Sequence, residues 1–318
     1  MSSTQRAIEY QTGRLFGDLW HHYDDQLFKQ SVDLFSTRWR ANGEPADFFQ
    51  GKRCLDAGCG GGRFSFAMAL MGAASVVGVD VSAEGIADAN RRRDAMGADP
   101  VSFRQSSLLE LPFEDGAFDF VCCSGVLHHT LSIERGLAEI HRVLKPGGRV
   151  YLLLYGAGGL YWPLTLVLRA FAQRLGSAEV DRCIRAAELP ANKRRTVLDD
   201  FFVPILETYT WERLEFLLQE AGFTQWHRWT GGQLDHEADP ETLIAELRIR
   251  AELWNAGAAT SPEPAISDVE AGLGRLCESV MGAAASLVEQ RDSGIISNAD
   301  LRTAIIGHGH HRLVAERP

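Results

Sequence analysis

The chain has 318 residues, of which 45% are hydrophobic and 23% are charged, so it is long enough and apolar enough to bury a sizeable folded core. Its formal net charge of -10 repels a phosphate backbone. No nucleic-acid partner is therefore expected, and a small-molecule acceptor is the favoured partner.

The predicted elements start with helices in which aromatic residues recur mostly at intervals of three to seven positions. From Lys52 onward, short apolar strands alternate with amphipathic helices, a pattern typical of a parallel sheet with helices on both faces. The predicted segments are an N-terminal helical cap at 1–50, a binding core at 51–158, a helical insertion at 159–205, a core helix and strand at 206–234, a second helical insertion at 235–300 and a final core strand at 301–318. The predicted fold class is therefore α/β, a doubly wound and mostly parallel seven-stranded sheet with helical additions.

An uncharged stretch over 150–168 has about the length of a membrane span. Gly156, Gly158, Gly159 and Pro163 divide it, so we interpret it as a core strand followed by an apolar helix, with no stable membrane insertion. The six cysteines include no C-x-x-C pair, and the first residues contain no apolar signal-peptide core. These features predict a cytoplasmic protein, and a homodimer is left open.

A glycine-rich turn, CLDAGCGGGRF, follows the first predicted strand and poses the question of its ligand. A nucleoside-triphosphate loop needs Lys and then Ser or Thr after its last glycine, where this chain has Arg63 and Phe64. A dinucleotide turn, G-x-G-x-x-G, needs its third glycine at the position of Arg63. The pattern is instead Asp56 followed by glycines at every second residue, and a carboxylate at this place favours a ligand with a cationic end.

A second acid, Asp80, ends the strand SVVGVD. A carboxylate at the end of this second strand can accept hydrogen bonds from both hydroxyls of a ribose. Because dinucleotides and S-adenosylmethionine both contain a ribose, Asp80 predicts the sugar without choosing between them. An alternative is that Asp80 serves only the start of the following helix.

Four motifs occur in order: LDAGCGGG, VVGVDVS, LPFEDGAFDFVCCSGVLHH and LAEIHRVLKPGGRV. Together they resemble the class I S-adenosylmethionine-dependent methyltransferases, in particular the small-molecule type that includes ubiquinone-biosynthesis enzymes. The resemblance spans about Lys52 to Tyr155 and implies a Rossmann-like fold and S-adenosylmethionine as cofactor, with S-adenosylhomocysteine as its product.

The resemblance also implies which residues hold the cofactor. The turn would hold the methionine end, Asp80 the ribose and the following two residues the adenine. Where the family usually has an Asp beside the adenine amino group, this chain has Ser107, which can accept the same hydrogen bond without the charge. The implied cofactor-binding residues are Asp56, Gly58, Cys59, Gly60, Gly62, Asp80, Val81, Ser82, Ser107, Leu108 and Ser124.

Candidate catalytic residues follow the fourth predicted strand, where an open sheet presents its ligands. His129, or its neighbour His128, could take a proton from a hydroxyl or ammonium group of the acceptor. The alternative is that His129 only orients the loop or lines the pocket. Predicted substrate or lid residues are Trp20, His21, Tyr23, Tyr155 and Tyr161, and no metal is predicted.

These observations predict a methyltransferase that acts on an oxygen, nitrogen or carbon nucleophile of a small metabolite, in secondary metabolism. Two alternatives stay open. One is a non-catalytic S-adenosylmethionine-binding or scaffold subunit, and the other is a tRNA or protein methyltransferase.

Overall fold

The computed structural model describes residues 3–20 and 25–318, with the side chains of 3–6, 18–20 and 243 left out of the description. Among the described residues, the strands are β1 (Arg53–Ala57), β2 (Ser75–Asp80), β3 (Val101–Gln105), β4 (Phe118–Ser124), β5 (Leu144–Leu154), β6 (Gln225–Arg228) and β7 (His311–Glu316). The helices are α1 (Ser3–Trp20), α2 (Asp25–Ala41), α3 (Arg63–Leu70), α4 (Ala83–Met96), α5 (Ile133–Val143), α6 (Tyr161–Leu175), α7 (Ser177–Ala186), α8 (Ala191–Phe202), α9 (Trp211–Glu220), α10 (Pro240–Thr260), α11 (Pro264–Asp292) and α12 (Asn298–Ile306).

The chain divides into two compact units. The first contains the described residues up to Tyr155, Pro204–Gly231 and His311–Pro318, and the second contains Gly156–Val203 and Gly232–His310. All seven strands belong to the first unit, and the second is helical.

The seven strands of the first unit form one sheet in the order β3-β2-β1-β4-β5-β7-β6. Pairs among β1 to β5 are parallel, whereas β7 runs antiparallel to both β5 and β6. The predicted fold class, a doubly wound and mostly parallel seven-stranded sheet, is therefore confirmed. Strand order reverses direction at β1 and β4, and in such sheets ligands bind outside the carboxyl ends of the strands at this point.

Apolar side chains cover both faces of this sheet. On one face, aromatic residues of α2 pack with residues of the sheet and α3; Phe35 and Trp39 are buried, and the Trp39 ring centroid lies 5.6 Å from that of Phe120. On the other face, α5 and α9 supply buried residues such as Leu137 and Leu214. The aromatic spacing in α2 therefore reflects core packing and not a substrate wall.

Strand β5 contains an irregularity, and β7 is shorter than the predicted final segment 301–318. Lys-Pro-Gly-Gly lies inside β5 as an irregularity, because the register passes from Phe118↔Leu144 to Phe120↔Arg149. Within the predicted final strand segment 301–318, residues up to Ile306 belong to α12, whose first turn is fixed by a capping box between Ser297 and Asp300. The strand itself begins only at His311.

The second unit has a polar group at the centre of its helices. Arg250, 1% exposed, donates to the Asp200 carboxylate and to the Tyr161 hydroxyl. The uncharged stretch 150–168 divides, as predicted, into the end of β5 and the start of α6. Among the helices in the described part of the chain, none has the length and apolar character that a bilayer crossing requires.

Candidate functional site

The candidate site lies in the first unit, at the carboxyl ends of β1, β2 and β4. Its centre is Asp80, which joins two loops. Asp80 Oδ2 accepts a hydrogen bond from the Gly60 backbone N–H at 2.8 Å, and Oδ1 accepts one from the Ser82 N–H at 2.8 Å. Each carboxylate oxygen has a further lone pair, so both can still accept from a hydroxyl group. Burial raises the pKa of Asp80, while the backbone hydrogen bonds oppose that rise.

The glycine turn requires glycine at two positions because of its backbone angles and its packing within the protein. Gly58 has φ +81, and a Cβ there would lie 2.3 Å from the Val126 side chain. Gly62 has φ +87, and a Cβ there would lie 2.6 Å from the Phe103 ring. Glycine is therefore required at both positions, because any side chain would be strained at these φ values and would collide with Val126 or Phe103.

Asp56 lies beneath this turn. Its side chain is 1% exposed, and Oδ2 accepts a hydrogen bond from Ser65 Oγ at 2.6 Å. Burial is the largest cause of a pKa raised to about 6, and the Ser65 hydrogen bond and the charge of Arg63 oppose it. Because the Asp56 carboxylate is buried, it would attract a cation bound in the turn without touching it.

The buried Asp56 carboxyl group is expected to make the stability of the fold depend on pH. The pKa of Asp56 rises from 3.8 to about 6 on folding, so the folded state holds the proton more tightly and its stability falls as pH increases between these values. Asp56→Asn imitates the protonated form. At pH 7 the substitution is expected to raise the free energy of unfolding by up to about 3 kcal/mol. It should also make the free energy of unfolding less dependent on pH between about 4 and 6.

Urea unfolding over that pH range measures the effect. Asp99→Asn, an equal charge change at an exposed turn before β3, is the control and should leave the profile unchanged. If the stability profile of Asp56→Asn matched that of the wild type, the raised pKa of the buried Asp56 would be contradicted.

The side chains of the other predicted cofactor-binding residues differ in their burial and hydrogen bonding. Ser82 caps α4, accepting from the Gly85 N–H at 3.0 Å, and is 1% exposed. Cys59 and Leu108 are buried, with only 4% and 5% of their surfaces exposed. Ser124, half-buried at the end of β4, has a shielded Oγ with no hydrogen-bond partner among the described residues. Such an orphaned hydroxyl fits a site that a polar ligand completes.

The two candidate bases are adjacent and enclosed. His129 is 5% exposed and His128 is fully buried. His129 Nδ1 lies 2.8 Å from the Ile205 carbonyl oxygen. Because a carbonyl only accepts, Nδ1 bears the proton of the neutral ring and Nε2 bears the lone pair that a base needs.

Of the predicted substrate residues, Tyr155 lies beside these histidines. Its ring is stacked on His128 with centroids 3.9 Å apart. Tyr161 belongs to the second unit and is buried there against Arg250. His21 and Tyr23 lie outside the described residues, as does the side chain of Trp20.

Two further contacts at the site had not been predicted. Phe16 of α1 approaches His129 with ring centroids 5.3 Å apart. Ile205 acts through its carbonyl oxygen, an atom common to all residues, so no side-chain pattern could have indicated it.

One group in the second unit has metal-ligand atoms close together. Glu179, Cys183 and Glu270 place them within 4.8 Å of one another. However, Arg182 donates to Glu179 at 2.7 Å and to Glu270 at 2.6 Å. A guanidinium already supplies the positive charge there.

Comparison with known proteins gives the family. A methyltransferase domain model matches residues 55–152. Demethylmenaquinone methyltransferase of Symbiobacterium thermophilum is 34% identical over 225 residues, which are 66% of this chain and 84% of that protein. The chain belongs to the class I S-adenosylmethionine-dependent methyltransferases. The cofactor of this methyltransferase is therefore S-adenosylmethionine.

Two other relatives are covered less completely. The methyltransferase is 40% identical to demethylmenaquinone methyltransferase of Clavibacter sepedonicus over 38% of this chain and 46% of that protein. It is 34% identical to ubiquinone biosynthesis O-methyltransferase of Azotobacter vinelandii over 44% of this chain and 62% of that protein. The chain thus spans less than two thirds of each of these relatives.

A solved structure supports the fold alone. Phosphoethanolamine N-methyltransferase 2 of Haemonchus contortus, in complex with phosphomonomethylethanolamine and S-adenosylhomocysteine, has a TM-score of 0.53 and 18% identity. The alignment covers 100% of this chain and 61% of that one.

Proposed function

We propose that the methyltransferase transfers the methyl group of S-adenosylmethionine to an oxygen, nitrogen or carbon nucleophile of a small metabolite. The observation that carries the proposal is Asp80, whose two oxygens fix the Gly60 and Ser82 backbones while keeping lone pairs for a ribose. The glycine turn would hold the methionine end above Asp56, and Ser124 would lie beside it.

The bound cofactor supplies an electrophilic methyl carbon on a sulfonium sulfur. The protein's task is then to align the acceptor with that carbon and to exclude water. His129, with its proton on Nδ1, would take the proton of a hydroxyl acceptor at Nε2. The half-buried Tyr155, whose ring is stacked on the buried His128, would offer an aromatic surface to a ring-shaped acceptor.

The sequence favoured secondary metabolism. The names of the relatives instead make a quinone precursor the first acceptor to test.

The experiment has two stages. Calorimetry with S-adenosylhomocysteine should give one bound ligand per chain. Incubation with S-adenosylmethionine and reduced demethylmenaquinone should give a product in which one hydrogen is replaced by a methyl group. Failure to bind would overturn the cofactor site. Binding without turnover of this acceptor or of related phenols would exclude a quinone precursor as the acceptor while leaving the cofactor site in place.

The tRNA or protein methyltransferase alternative has a separate test. The net charge of -10 disfavours tRNA as a substrate. An absence of RNA binding at low ionic strength would exclude a tRNA methyltransferase.

A further inference from the structure

Helix α1 presents one face to the candidate site. Glu9, Gly13 and Gly17 recur every fourth residue and therefore share that face. A Cβ at Gly17 would lie 2.6 Å from Ser82 Oγ, and one at Gly13 would lie 3.1 Å from the Ser82 backbone nitrogen. The α1 backbone thus lies directly against the loop that follows Asp80.

The same face brings a carboxylate to Ser107. Ser107 Oγ donates to Glu9 Oε1 at 2.9 Å and accepts from the Leu109 N–H at 3.1 Å. Because a hydroxyl has a single proton, Ser107 is committed to Glu9 and can only accept from any further partner. Glu9 is half-buried, and burial raises its pKa more than Ser107 and Arg135 lower it.

This pair lies beside the predicted ribose position. The Ser106 N–H donates to the Asp80 carbonyl at 2.9 Å, and β3, which leads to Ser107, is the neighbour of β2 in the sheet. A purine on a ribose held by Asp80 can therefore extend along the sheet edge toward Ser107 and Glu9. There it would meet two acceptors and no free donor from the Ser107 hydroxyl.

We infer that Glu9 and Ser107 form an acceptor pair that selects a purine with a 6-amino group and rejects one with a 6-oxo group, with Glu9 supplying the negative charge. This inference rests on the proposed function of the same site. An amino group donates to both acceptors, whereas a 6-oxo oxygen would face a carboxylate and a serine lone pair. Glu9 is thus a specificity-determining residue that comes from α1, far from the sheet motifs in sequence.

The test compares S-adenosylhomocysteine with S-inosylhomocysteine by calorimetry. The inosyl analogue has an oxygen in place of the 6-amino group and a hydrogen on N1. The wild type is expected to prefer the adenosyl ligand by about 100-fold or more, because a site built to accept hydrogen bonds from a 6-amino group strongly rejects an analogue that places an acceptor oxygen at that position. Glu9→Gln is expected to reduce that ratio at least about tenfold, because an amide can turn its NH₂ toward an oxo group.

Glu110→Gln is the matched control, since it removes the same charge from an exposed side chain of the Ser107 loop, and its ratio should equal that of the wild type. Thermal unfolding checks that each variant is folded. A folded Glu9→Gln variant with the wild-type ratio would overturn the inference while leaving the proposed function in place. A wild-type protein that binds neither ligand would overturn the proposed function itself.

Discussion

Replacing Asp80 with asparagine is expected to weaken binding of S-adenosylhomocysteine by about 100-fold, or about 3 kcal/mol. Both carboxylate oxygens accept backbone hydrogen bonds, from Gly60 and Ser82. An amide has only one acceptor atom, so its NH₂ would face one of these N–H groups. A hydrogen bond to a charged group contributes about 1.5–3 kcal/mol, and the acceptor for one ribose hydroxyl is lost as well.

Calorimetry measures this loss of affinity. A melting profile of the unliganded variant that matches that of the wild type would show that the fold survives. Asp99→Asn, which makes the same change at the exposed turn before β3, should bind as the wild type does. Asp80→Asn binding within a factor of about three of the wild type would show that the ligand does not use this carboxylate.

The second large effect is expected at His129. Asparagine places its amide nitrogen where the imidazole has Nδ1, so His129→Asn can still donate to the Ile205 carbonyl but has no group in place of Nε2. If Nε2 takes the acceptor's proton, kcat should fall by about 10²–10⁴-fold with little change in KM.

The measurement is steady-state release of S-adenosylhomocysteine with reduced demethylmenaquinone as the acceptor. His141→Asn makes the same substitution on α5, where the ring lies against Phe223 at 5.2 Å, and should retain wild-type kinetics. If His129→Asn turned over at the wild-type rate, the imidazole would serve only to hold the Ile205 segment.

Much of the binding core could be predicted because its signals are local. Apolar strands alternate with helices in the sequence, and the glycine turn and Asp80 each follow a strand directly. Parallel strands bring their carboxyl ends to one edge, so residues distant in sequence were correctly expected at a single edge of the sheet. The roles assigned to these residues toward the cofactor remain predictions that the experiments above test.

The N-terminal helices were harder to interpret from sequence. An aromatic residue at helical spacing looks the same whether it faces a core or a ligand. Phe35 and Trp39 pack beneath the sheet, whereas Phe16 lies beside His129. Only the docking of each helix decides between these outcomes.

The sequence by itself indicated the alternation of strands and helices, because hydrophobic periodicity is a property of the chain itself. Its ordered motifs carried the resemblance that implied the family and the cofactor. The tertiary structure decided that Asp56 lies beneath the glycine turn, that His129 bears its proton on Nδ1, and that Glu9 reaches Ser107. Burial, tautomer and long-range pairing depend on which atoms fold against one another, and these contacts join segments separated by up to 98 positions.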